Sequence, residues 1–247
     1  RGIQEGNGIP ADGDLWVSYS VNKEDMWISR IPVPVEINAS AHADDDFSNN
    51  KSIAELTDWN IYSPVWAPVS LEGQWLKLQD KDPFDYAKVE RKIPASKELK
   101  VSFDLKAGQN DKGTLQIEFL DENGIACSRM ELTDDGIFRM KGGSRFANMM
   151  KYEAGKVYHV EAVLSTVDRN IQVYVDGKRV GLRMFYAPVA AVERIVFRTG
   201  VPRTFPTVDT PADQTYDLQD AGAREALVEY RIANVKTSSA DKDATAA

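Results

Sequence analysis

Apolar and polar residues alternate with a period of two through most of the chain after residue 98. Leu99, Val101, Phe103 and Leu105 alternate with Lys100, Ser102 and Asp104, the signature of a half-buried strand. Leu115, Ile117 and Phe119 repeat it, and Asp121-Glu122-Asn123-Gly124 supplies a turn. The chain returns over 125–132, turns again at Thr133-Asp134-Asp135-Gly136, and runs through 137–140. This predicts a three-stranded antiparallel meander. Tyr158, Val160, Ala162 and Leu164 then face one way, with His159, Glu161 and Val163 opposite. A turn at 165–170, a strand through Ile171, Val173 and Val175, the pair Asp176-Gly177, and a strand over 178–182 predict successive hairpins. Further strands are predicted at 192–198 and 228–235. Short strands with turn signals at this spacing predict an all-β antiparallel sandwich.

The remaining segments differ. Residues 14–20 and 26–31 read as a hairpin, and Pro32-Val33-Pro34-Val35 breaks regular pairing after it. An isolated two-stranded hairpin is marginal in water, so this piece needs a partner to pack on. The predicted organisation is an N-terminal hairpin at 1–35, a polar linker at 36–58, a sandwich at 59–237 and a disordered tail at 238–247. Helical character is expected only at 220–227, for about two turns. It closes a long stretch, 199–219, that holds Pro202, Pro206 and Pro211.

Composition narrows the function classes. The 247 residues are 43% hydrophobic, enough for a packed core, and carry a net charge of −8. That acidic balance argues against nucleic acid as a partner. No apolar run reaches the length of a membrane-spanning helix. One cysteine allows no internal disulfide, and two histidines leave no Cys/His zinc site. The chain begins at Arg1, which is expected of a mature form or of a piece of a longer protein.

Two resemblances follow from particular residues. The run from Gly13 through Trp16, Tyr19, Trp27 and Ile31 to Pro32 resembles the closing strands of BNR-repeat, sialidase-like β-propellers of Bacteroidetes. No Asp-box (Ser-x-Asp-x-Gly-x-x-Trp) accompanies it. The stretch from Lys156 to Leu164, followed by Asp168 to Val180 with its Val173-Tyr174-Val175-Asp176-Gly177, is similar to concanavalin A-like, laminin-G-type jelly rolls. That resemblance implies two curved antiparallel sheets, a face that often binds sugar, and in some members a calcium ion near the rim.

The candidate chemistry is that of binding. Trp59, Trp66, Trp75 and Tyr86 form an aromatic cluster, with Tyr62 and Phe84 nearby, and flat rings stack on sugars. Packing where the chain enters the sandwich is the alternative role for them. Arg139 and Arg145, with Lys141, Arg179 and Arg183, come from neighbouring hairpins and could form a patch for an acidic polysaccharide; a solvated face is the alternative. Asp44, Asp45 and Asp46 offer the oxygen ligands calcium takes, though ligands must converge from more than one loop. No other cofactor is expected.

Catalytic patterns are missing from this stretch. Glu118-Phe119-Leu120-Asp121-Glu122 does not match the carboxylate spacing of concanavalin-like hydrolases. Lys141-Gly142-Gly143-Ser144-Arg145 lacks the ending of a phosphate loop. His42, His159 and Cys127 form no nucleophile–base pair in sequence. The expectation is an accessory glycan-binding or structural module of a secreted or periplasmic polysaccharide-processing protein. Its own upstream propeller would be its partner. The alternative is the C-terminal part of a glycosidase or lyase whose catalytic residues lie upstream.

Overall fold

A computed structural model describes residues 2–4, 15–21, 25–31, 41–83, 85–143, 145–200 and 223–240. The chain divides into two compact units, 1–39 and 40–247. The first is a three-stranded antiparallel sheet of β1 (Gly2–Gln4), β2 (Leu15–Val21) and β3 (Asp25–Ile31), in that order. The expected hairpin is β2–β3, which Tyr19 and Ser29 join through their hydroxyls at 3.0 Å. β1 is an addition to it. Met26, Trp27 and Ile28 remain more than half exposed on this sheet.

The second unit is an antiparallel sandwich with the layering of a jelly roll. One sheet has seven strands in the order β13-β12-β11-β10-β17-β8-β5. These are β5 (Trp59–Tyr62), β8 (Lys88–Ser96), β10 (Leu115–Leu120), β11 (Ala126–Leu132), β12 (Ile137–Gly142), β13 (Arg145–Lys151) and β17 (Val192–Thr199). The other runs β16-β15-β14-β9-β18-β7-β6, with β4 (Asp44–Asp45) paired to β18 (Val228–Ser239). Its remaining strands are β6 (Val69–Glu72), β7 (Trp75–Asp80), β9 (Glu98–Ala107), β14 (Val157–Ser165), β15 (Asn170–Val175) and β16 (Lys178–Met184). All pairings are antiparallel, so no crossover helix is needed.

The predicted local units are present. β10-β11-β12 is the meander and β14-β15-β16 the double hairpin. Asp176 and Gly177 turn β15 into β16 with φ of 49° and 77°, the positive values of a hairpin turn that matches strand twist. The core lies between the sheets, where alternate side chains meet. Phe103 on β9 touches Phe197 on β17 edge-on, with ring centroids 5.0 Å apart. Leu99, Val101, Leu115, Ile117, Val160, Leu164, Ile171 and Ile232 close around them with no exposed surface. Each such side chain contributes about 1.5–3 kcal/mol through burial.

Three expectations are corrected. Residues 41–58 are not a plain polar linker: they provide β4, a 3-10 turn (Ile53–Glu55) and Phe47, which is 1% exposed in the core. Residues 223–227 are not helical, and 220–222 lie outside the described residues. Ser238 and Ser239 are not part of a disordered tail, because they pair with Lys100 and Leu99 at the end of β18; residues 241–247 lie outside the described residues. Of the loop 199–219, Thr199 closes β17 and 201–219 lie outside them, with Pro202, Pro206 and Pro211.

Candidate functional site

Strand alternation turns half of each strand's residues away from the core. On the seven-stranded sheet the registers line these residues up in rows. One row crosses all seven strands: Tyr62, Lys88, Arg198, Gln116, Glu131, Arg139 and Asn148. The next reads Asn60, Glu90, Val196, Glu118, Arg129, Lys141 and Phe146. Lys92, Arg194 and Leu120 begin a third. Seven cations thus share this outer face with three carboxylates, although the chain as a whole carries −8.

The carboxylates are each committed to arginine or lysine. Glu131 holds Arg139 along one guanidinium edge, accepting from Nε at 3.1 Å and from Nη2 at 3.0 Å. Glu118 accepts from Arg129 Nε at 2.7 Å. Glu90 takes Lys88 at 2.7 Å and Arg194 at 3.3 Å. Such forked pairs fix the planes of the guanidinium groups. Lys141 has no ion pair among the described residues; burial, and then Arg129, hold its pKa below the ordinary lysine value.

Aromatic rings support the cations at both ends of the face. The Arg139 guanidinium lies 4.4 Å over Phe146, and Lys141 Nζ 4.5 Å over Tyr186. At the other end Arg198 lies 3.8 Å over Tyr86, whose ring meets Tyr62 at 5.3 Å. The Tyr186 hydroxyl is buried with no hydrogen-bond partner among the described residues, and burial pushes its pKa up to about 12. The Tyr62 hydroxyl donates to Asp85 Oδ2 at 2.8 Å; burial first, and then Asp85, raises its pKa. Fixed donors, cations and flat rings on one face can hold a polyhydroxylated anion.

The residues singled out from sequence separate in space. Tyr86 and Arg139 belong to this face, at opposite ends of it. Trp59 does not: it is 7% exposed, packs on Phe47 at 5.6 Å and donates Nε1–H to Asp45, so its surface is spent on the core. Trp75 alternates with the core residues Leu76 and Leu78 and lies on the outer side of the other sheet. Trp66, in the β5–β6 connection, carries the Arg224 guanidinium 4.8 Å over its ring. Arg145 is exposed opposite Gly142. Arg179 and Arg183 lie on β16, in the other sheet, so the expected basic patch is divided.

The aspartates also diverge. Asp44 pairs with Lys236 at 2.9 Å, and Asp45 with the buried Arg91 at 2.7 Å. Asp46 caps Ser48, whose backbone N–H holds the carboxyl below its usual range. Among the described residues no three His, Cys, Asp or Glu side chains converge as a metal site. Glu118, Arg129, Glu131, Arg194, Arg198 and Tyr186 were not singled out from sequence. For Arg129, Glu131, Arg139 and Lys141 the signal exists, since they alternate with Met130, Leu132, Phe138 and Met140.

Comparisons with known proteins agree with this architecture. The chain is 89% identical to a solved sialidase, with a TM-score of 0.83 over 98% of its residues, and spans 22% of that chain. A structure from work on endo-acting O-glycanases of the human gut microbiota superposes with a TM-score of 0.58 at 13% identity, covering 80% of this chain and 98% of that one. A β-glucanase catalytic domain from Podospora anserina gives 0.56 at 13% identity, covering 82% and 97%. These two share the fold. A search of curated proteins gives no significant match. The model of the sialidase-like CBM domain family matches residues 59–214, and the chain belongs to that family.

Proposed function

We propose that this chain is a glycan-binding module of a sialidase-type, glycan-processing protein, and that it binds acidic saccharides through the outer face of the seven-stranded sheet. The observation that carries this reading is the collection of seven cations, three carboxylates and flanking aromatic rings on one face of an acidic chain. Arg139 and Arg129 are oriented by their glutamates, Lys141 has no ion-pair partner among the described residues, and Phe146, Tyr186 and Tyr86 offer ring faces. The similarity to 22% of a sialidase supports placing the bond-cleaving chemistry elsewhere in a longer protein. A secreted or periplasmic location would suit such a ligand. The exposed Trp27, Met26 and Ile28 of the N-terminal sheet would pack on a neighbouring domain of that protein, for which a propeller is the reading drawn from residues 13–32.

Calorimetric titration with sialylated and with neutral oligosaccharides tests the proposal. Acidic glycans are expected to bind at least tenfold more tightly, with affinity falling as salt rises. Lys141→Ala and Tyr186→Ala are each expected to weaken binding by about tenfold, the size of one charge-assisted contact. Equal affinity for neutral glycans, or variants that bind like the native chain, would overturn it.

A further inference from the structure

Where β13 and β16, the edge strands of the two sheets, come together, a cleft of about 380 Å³ opens. Met140, Met149 and Asn148 line it from the seven-stranded sheet; Arg179, Gly181 and Arg183 line it from the other. The volume is at the lower end of the range for small-ligand sites. Both edge strands are irregular at this point: the β12–β13 register slips beside Met149, and the β15–β16 register beside Val180. Bulges of this kind re-aim side chains or end strand pairing, and they are frequent at sheet edges and next to active sites.

Two glycines let the sheets approach here. A Cβ on Gly181 would stand 2.9 Å from Met149 Sδ and 3.0 Å from Met140 Cε. A Cβ on Gly142 would stand 2.9 Å from Arg183 Cδ, so the aliphatic stem of Arg183 lies against bare backbone. Gly181 and Arg183 pair with the core residues Val173 and Ile171, which puts both on the side of β16 that faces the opposite sheet. Arg183 donates to the carbonyl of Leu182 at 2.9 Å. Among the described residues neither Arg179 nor Arg183 has an ion-pair partner, although acidic residues outnumber basic ones in the chain. Asn148 also ends the row that begins at Tyr62, so the cleft continues the outer face around the sheet edge.

We infer that this cleft is a second saccharide subsite, which takes the anionic group of an acidic sugar at the lining residues Arg183 and Arg179 and an apolar substituent of that sugar against Met149, behind which Met140 is buried. The class of ligand rests on the carbohydrate-binding reading; the location does not. Both carboxylate and sulfate suit two guanidinium groups.

The test is NMR on the whole chain with labelled methionine methyls and tyrosine rings. The probes are sialyllactose, sulfated lactose and plain lactose. The two acidic sugars are expected to shift the Met149 methyl, and with it that of Met140 packed behind it, and lactose to leave both unmoved. A response to one acidic sugar alone identifies the anion and supports the site. Arg183→Gln is expected to weaken the response about tenfold, and Arg183→Lys to restore part of it. Gly181→Ala is expected to narrow the cleft by pushing the flexible Met149 inward, with the same loss in a chain that folds normally. Equal shifts with lactose, or variants that bind normally, overturn the inference. Shifts at Tyr186 with silent methionines overturn the cleft and keep the outer face. Shifts at the methionines with a silent Tyr186 do the reverse, and silence at both overturns both.

Discussion

Phe47→Ala should cost about 3–5 kcal/mol, the range for deleting a fully buried aromatic ring. Phe47 is 1% exposed, so the whole transfer and cavity cost applies. Its tilted contact with Trp59, at 5.6 Å, accounts for about 0.5–1.5 kcal/mol within that total. The backbone gives nothing back, because Phe47 has φ of 60°, a value as unfavourable for alanine as for phenylalanine. The surroundings have little room to collapse: Trp59 is tied to Asp45, which also holds Arg91. Urea unfolding followed by near-ultraviolet circular dichroism reads the effect. With a slope of about 2 kcal/mol per molar urea, the midpoint should fall by about 1.5–2.5 M with the slope unchanged. A fall below about 0.3 M would refute the reasoning and show that residues 41–58 do not share the cooperative core.

Three further outcomes follow from buried or crowded positions. Gly113→Ala should destabilise by about 2–4 kcal/mol, since its φ is +69° and a Cβ would meet Val228 Cγ1 at 2.5 Å; an unchanged melting temperature would refute the crowding. Asp80 should titrate at about 6, raised by burial against the hydrogen bonds from Thr199 and the Asp82 backbone. The folded state then binds its proton more tightly than the unfolded chain, so this group adds stability as pH falls from about 6 toward 4; a carboxyl NMR midpoint near 4 would contradict it. Cys127, fully buried with its thiol pushed up to about 12, should resist alkylation at pH 8 until the chain unfolds; modification of the native protein within minutes would refute that placement.

The charge distribution follows from the sheet rather than from the total. A net charge of −8 says nothing about where cations gather. On β11 and β12, Arg129, Arg139 and Lys141 alternate with core residues, so burial of Met130, Phe138 and Met140 forces them onto one surface. Glu118 and Glu131 lie among them and fix their orientation rather than cancel the patch.

The aromatic residues follow no such local rule. Trp59, Trp66, Trp75 and Tyr86 are close in sequence, yet they divide between the core, a connection and the outer sides of both sheets. The β6–β7 hairpin reverses the chain between Trp66 and Trp75, and burial of Phe47 draws Trp59 inward. β8 holds Pro94 within a strand, past the last β5 pair at Arg91 and at the break in the β17–β8 register between Val192 and Arg194, where its missing N–H costs no ladder bond.

Alternation and turn residues, acting over a few neighbours, determined the strands of the meander and the double hairpin and which of their side chains face the core. Pairings between distant segments, such as β10 with β17, β17 with β8 and β9 with β18, arose only from packing two sheets around one core. Those pairings set Tyr62, Lys88 and Arg198 in line with Arg139 and Asn148, and they bring β13 to β16 at the seam. No local pattern encodes such rows, because a register between remote strands is chosen by the burial of all their apolar faces together.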